Sequence, residues 1–410
     1  MRMFLGEVMS KVKWFWVCGV LSLGLMGPPL AAQDSNPQEW NAAVNYWQAF
    51  GLLPVWTEEE KKLRESLPAE FSAELPEAVK ELTERSGVAL AALELANRIE
   101  KCDWQLDYSQ GPSLALPHIQ EARELHRQAN LRARYRFSQA DHSGGVADIL
   151  ASLRLSRAIG KDQVLISLLV QAAIERGAID LAAAYLPYLP DLERRQLAEG
   201  WERLRASATL GESLGLEKKV FGGWLQAEFE RAAAGKRPEE PAGDFLKSLF
   251  AMAGTEPDAE TRQTIDKVGG ASVAEIRKAI EGYLAKCDEM IRIAKLDFAQ
   301  RRAELEKFER ELKEARAEQQ ETGQGLSLLL LPAVAKVADS EEAWVVRRKL
   351  FEAALKGIKD GEAGIVSAAK EMGIKVDYLA KENGFELSTP LTKEGKVEKL
   401  SFGGGYRRAK

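Results

Sequence analysis

Residues 118–186, HIQEARELHRQANLRARYRFSQADHSGGVADILASLRLSRAIGKDQVLISLLVQAAIERGAIDLAAAYL, carry three helical periodicities in succession with very short breaks between them. Leu125, Ala129, Ala133 and Phe137 make one apolar stripe, and Val146, Ile149, Leu150, Leu153 and Ile159 make a second. Leu165, Leu168, Leu169, Ala172, Ala173 and Ile179 make a third, each stripe recurring at threes and fours as an amphipathic helix requires. Helices joined by turns this short pack antiparallel. Within the stretch, Ala133, Gly145 and Ser152 are small where a tetratricopeptide-like hairpin needs close helix approach, and Ile149 is large where it needs bulk. No 34-residue period recurs, so the expectation is one repeat-like hairpin inside an irregular, solenoid-like helical body.

The composition is normal for a soluble globular protein. Of 410 residues, 45% are hydrophobic and 29% charged, enough to bury a core. Lys and Arg number 57 against 62 Asp and Glu, a formal charge of −5, so no global field favours nucleic acid or an anionic membrane. Residues 1–32 have the order of a secretory signal peptide. Lys11 and Lys13 precede the apolar run Trp14–Met26, and Gly-Pro-Pro-Leu-Ala-Ala ends at Ala32, the expected cleavage point. Met9 is an alternative start. An uncleaved anchor is disfavoured by the short apolar run. Cys18 lacks the preceding small residues of a lipid-attachment site. The expected location is therefore periplasmic or secreted, with no stable membrane span after cleavage. There the remaining cysteines, Cys102 and Cys287, either pair in a disulfide or lie as two separate buried thiols.

Outward from the central stretch, the body is expected over 33–234. Trp40, Val44, Trp47 and Phe50 share a helical face that Pro54 ends, and Thr57 with Glu60 forms a capping box. Pro76 opens another helix. Residues 235–270, rich in Gly, Pro, Glu and Lys at their start, read as a loop or linker. Within the arm segment 271–322, a capping box at Ser272 and Glu275 opens the longest helical pattern, running to Gln319, which reads as one helix of roughly 70 Å. Its charged second half is either a solvated arm or a coiled-coil surface for a protein partner or self-association. Residues 323–410 carry further helices and a small β-hairpin formed by 384–391 and 396–403.

The phrases NAAVNYWQAF (41–50), CDWQLDYSQGP (102–112), LPHIQEARELHRQANLRARYRFSQAD (116–141) and LISLLVQAAIE (165–175) resemble a family of uncharacterised exported helical proteins of planctomycete-type bacteria. LLLLPAVAKVADSEEAWVVRRKLFEAAL (328–355) is similar to their C-terminal part. The resemblance covers most of the mature chain and implies export and helical architecture, but no activity. Gly364–Tyr378 departs from it, lacking the Tyr-Pro element and Pro-Phe-Gly turn that precede the family's last strands.

Chemistry is sparse. The connector CDWQLDYSQGPSLALPH, 102–118, gathers Asp103, Trp104, Asp107, Tyr108 and His118, which would suit a polar or sugar-like ligand or hydrolysis of an envelope polymer. The alternative is a plug, its Trp filling a helical end and its Asp residues capping turns. His118, Glu121 and His126 do not make a metal site alone, since 118 and 126 are about 80° apart around a helix. Asp141, His142 and Ser143 are turn neighbours, whereas catalytic triads assemble from distant segments. No phosphate loop, dinucleotide fingerprint, nucleophile elbow or zinc-protease motif occurs, and no cofactor is expected. Arg132, Arg134 and Arg136 read as a solvated face, with Arg154 and Arg157 able to extend a local anion patch. The resulting expectation is an exported protein-binding or scaffold module, with a hydrolase or ligand-binding role for the connector as the alternative.

Overall fold

The computed structural model describes residues 40–67, 75–245, 270–319, 334–391 and 396–403. Residues 1–32, read as a signal segment, most of 235–270, read as a linker, and the apolar strip before Pro332 lie outside these residues. The chain is mainly helical with a small antiparallel sheet near its end.

The central stretch folds as three long helices, α5 (Pro117–Ser138), α6 (His142–Ile159) and α7 (Leu165–Tyr185), after the shorter α1 (Ala42–Gly51), α2 (Glu58–Ser66), α3 (Glu77–Arg85) and α4 (Gly87–Ala96). Arg136 reaches the Gly144 carbonyl and Arg132 reaches Asp148, so α5 and α6 run in opposite directions. Close approach at their junction depends on Gly145, where a Cβ would lie 2.5 Å from the Phe137 ring. Asp141 caps α6 by accepting the Gly144 N–H at 2.9 Å, which accounts for the short turn.

α7 serves several cores at once. Leu168 belongs to a cluster with α9 (Leu210–Glu217), α10 (Gly223–Ala233) and α11 (Val273–Ala294). Val170 and Ile174 pack with α1, α4, α5 and α6. Ala178 to Leu186 pack with α8 (Asp191–Glu202), α13 (Val334–Gly357), α14 (Gly361–Glu371) and the sheet. A helix enclosed on most sides loses its amphipathic stripe, and α7 is buried on several faces accordingly. One of its rows is polar. Ser167, Gln171 and Glu175, one turn apart from each other, are all 0% exposed.

Two expectations are corrected. The predicted single arm is two helices, α11 and α12 (Phe298–Gln319), because Asp297 caps a new start by accepting the Gln300 N–H at 3.0 Å. Nor is the beginning of α12 a solvated arm: Arg301, Leu305 and Phe308 are buried, with Arg301 on Glu341 at 2.5 Å. The terminal β element has three strands, β1 (Asp377–Lys381), β2 (Gly384–Pro390) and β3 (Val397–Gly403), in the order β1-β2-β3. Phe385 lies opposite Phe402 and Leu387 opposite Leu400, and this face closes on α7 and α13. The described start of the linker is tied down, Ala242 donating to the Ala271 carbonyl and Val273 to that of Glu240. The described residues from Asn41 onward form one compact unit.

Candidate functional site

The connector at 102–118 is a plug. Trp104 is 6% exposed, donates from Nε1 to the Ala158 carbonyl at 2.8 Å and stacks on His118 with ring centroids 4.6 Å apart. Tyr46, Trp47 and Phe50 of α1 close around it. His118 is fully buried, its Nε2 at 2.8 Å from Asp162 Oδ2. That same oxygen accepts the Ser167 hydroxyl at 2.7 Å, while Oδ1 accepts the Val164 N–H. Tyr108 donates to the Asp162 carbonyl, and burial pushes its phenol up to about 12.

The two carboxylates of the connector serve its turns. Asp103 accepts the Gln105 N–H at 2.9 Å, and Gln105 itself sits at φ 53°. Asp107 accepts the Ser109 hydroxyl and N–H and the Gln110 amide, which hold its carboxyl below the usual range. Gly111, at φ 55°, lies against the Trp224 ring, where a Cβ would approach to 2.4 Å. Of the five sequence candidates, Trp104, Tyr108 and His118 thus converge on the 158–162 turn as packing, and Asp103 and Asp107 remain exposed caps. Cys102 and Cys287 are free thiols against different core clusters, which is the second of the two alternatives their sequence leaves open; Cys287 is buried and Cys102 partly so.

The more polar concavity is formed beyond this plug, by residues that the sequence scatters. A cavity of about 720 Å³ is lined by Arg98, Arg154, Arg157, Arg203 and Arg205, against the single carboxylate of Glu100. Arg98, Ile99 and Glu100 follow the end of α4, Arg154 and Arg157 are one turn apart on α6, and Arg203 and Arg205 follow α8. Tyr46 and Asn97 complete the lining, the phenol donating to Asn97 Oδ1 at 2.8 Å and the Asn97 amide donating to the Ala151 carbonyl at 3.3 Å. Arg205 is anchored on the Ile99 carbonyl at 2.7 Å, and Arg203 pairs with Glu199 at the surface. Arg98 and Arg154 have neither hydrogen bond nor ion pair among the described residues.

Arg157 is the most buried of the five, 2% exposed. Its Nη2 donates to Glu175 Oε1 at 2.6 Å, while Nε and Nη1 have no hydrogen-bond partner. Glu175, fully buried, also takes the Arg348 guanidinium at 3.0 Å and the Trp344 indole N–H at 3.1 Å. One carboxylate therefore faces two guanidinium groups, leaving excess positive charge. Burial pushes the Arg157 guanidinium down to about 10, opposed by Glu175 and helped by Arg348, so it stays protonated at neutral pH.

The sequence offers Arg154 and Arg157 only as able to extend a local anion patch and does not single out Arg98, Arg203 and Arg205. The Arg-x-Arg spacing at 203–205, just past a helix end, was the available signal. Arg132 is not on a solvated face: it is buried, its Nε donating to both Asp148 oxygens at 3.1 and 3.0 Å and its Nη2 to Oδ1 at 2.5 Å, with Arg136 on the same carboxylate. Chemically the cavity can hold oxyanions, because guanidinium forks match carboxylate, phosphate and sulfate oxygens. No family model, curated protein or solved structure matches the chain.

Proposed function

We propose that the protein is an exported binding protein whose ligand end is the arginine-lined cavity and whose ligand is an oxyanion. The observation that carries this reading is the concentration of five arginines against one carboxylate in a chain of net charge −5. Arg98 and Arg154 have no hydrogen-bond or ion-pair partner among the described residues, and a positive cavity in an acidic protein focuses its field on incoming anions. The hydrolase reading of the connector loses its support, since Asp103 and Asp107 cap turns and Trp104 fills the space a substrate would need. Partner binding through 271–322 is weakened in the same way, because Arg301, Leu305 and Phe308 serve the protein's own core. Export rests on residues 1–32 and on the resemblance to exported helical proteins, and places the ligand in the cell envelope or outside it.

Thermal unfolding at constant ionic strength tests the site. Phosphate and sulfate are expected to raise the midpoint more than chloride, a ligand at a hundredfold its Kd being worth about 2.7 kcal/mol. The double variant R98E/R154E should lose this difference. An equal response of variant and parent removes the cavity from the explanation.

A further inference from the structure

We infer that the ligand is a hydroxyl-rich, sugar- or polyol-type molecule bearing at least two oxyanion groups, one held deep and one at the rim. The inference rests on the reading of the cavity as an anion site. Its first support is the tiered burial of the arginines. Arg157 is almost wholly enclosed and Arg154 half-buried on the same face of α6, whereas Arg98 and Arg203 are exposed at the ends of α4 and α8. A single tetrahedral oxyanion is satisfied by one or two guanidinium forks. It would leave the remaining cations of a cavity of about 720 Å³ unneutralised.

The second support is the unbalanced charge at depth. Glu175 is shared by Arg157 and Arg348, and Arg157 keeps two N–H-bearing nitrogens without partners, so the inner tier calls for a negative group of its own. The rim has a separate demand, because among the described residues Arg98 is unpaired and Arg203 holds only a surface pair with Glu199. The third support concerns what lies between the charges. Small-molecule pockets are usually apolar with few polar groups. Here Ile99 is the aliphatic exception; with the Tyr46 O–H and one Asn97 N–H engaged internally, the Tyr46 phenol oxygen, the second Asn97 N–H and the Glu100 carboxylate remain suited to hydroxyl groups.

Calorimetric titration of the full-length protein with inorganic phosphate, fructose 6-phosphate, fructose 1,6-bisphosphate and 1,6-hexanediol bisphosphate separates the cases. The expected result is that the sugar bisphosphate binds about tenfold more tightly than the sugar monophosphate, the equivalent of one well-placed additional ion pair. It should also bind more tightly than the hexanediol compound. In R98Q/R203Q the gain from the second phosphate should vanish while the monophosphate affinity is kept; in R154Q both affinities should fall. Circular dichroism and the unfolding midpoint confirm that the variants are folded. Equal affinity for mono- and bisphosphate, or a parallel loss of both in R98Q/R203Q, overturns the two-group ligand and leaves the anion site standing. Equal affinity for the sugar and hexanediol bisphosphates overturns the hydroxyl-rich spacer. Failure of all four probes to bind overturns the anion site itself. Once the bisphosphate binds, competition by dextran sulfate assigns the two-group chemistry to an anionic polysaccharide, and lack of competition assigns it to a free solute.

Discussion

Single residues divide into those that hold the fold and those that the fold leaves free. Trp104 belongs to the first group: its indole is hydrogen-bonded to the Ala158 carbonyl and sandwiched against His118. Trp104→Ala should cost about 3–5 kcal/mol by denaturant unfolding, whereas Asp107→Ala, which removes a turn cap at the surface, should cost about 1 kcal/mol. Similar losses for the two would mean that the connector is not a plug. His126 gives the molecule a pH dependence. Burial, aided by Arg127, pushes its imidazole down to about 4, and its Nε2 is hydrogen-bonded to the Asn130 amide. A histidine in the unfolded chain titrates near 6.5, so between about pH 6.5 and 4 the unfolded state binds the proton that the folded state refuses. The stability contribution is intact above that window and lost as pH falls through it. Relative to His126→Gln, the parent should lose up to about 3 kcal/mol across the window. Parallel stability–pH curves for the two proteins would refute the assignment.

At the level of elements, caps were the most readable feature. The Thr57–Glu60 and Ser272–Glu275 boxes formed as their spacing predicts, with hydroxyl and carboxylate each satisfying the other residue's N–H. The same rule applied to Asp297 would have divided the supposed arm, but the apolar threes and fours continue through the break and conceal it. Asp297→Ala should therefore destabilise the protein by about 1 kcal/mol, measured by chemical unfolding, without merging α11 and α12, because Arg301 and Phe308 still draw the second helix onto the body. A neutral result would mean that the cap contributes nothing. β1 escaped notice since Asp377–Lys381 has an exposed pattern with little alternation of its own, and it becomes a strand through pairing with β2.

For the whole molecule, the sheet is a lid on the core that α7 shares with α13. Phe385, Leu387, Leu400 and Phe402 cover it, and Arg347 links Asp180 of α7 to Glu398 of β3. Deletion of residues 377–410 should abolish a single cooperative thermal transition and promote aggregation, as an apolar face of this kind is uncovered; an unchanged midpoint would show the sheet to be dispensable. The sequence by itself determined the helical class, the three-helix centre, most caps and the two strongest strands, because periodicity and capping act within a few residues along the chain. It also offered the 102–118 connector as a site, since aromatic and acidic groups look alike whether they plug a core or meet a ligand. Only the tertiary structure decided between those roles, and only it brought together Arg98, Arg154, Arg157, Arg203 and Arg205 from just beyond the ends of α4 and α8 and from the last turns of α6. The physical reason is that a cavity's charge depends on which helix ends meet in space and which guanidinium groups find no carboxylate there, and neither condition leaves a mark on local spacing.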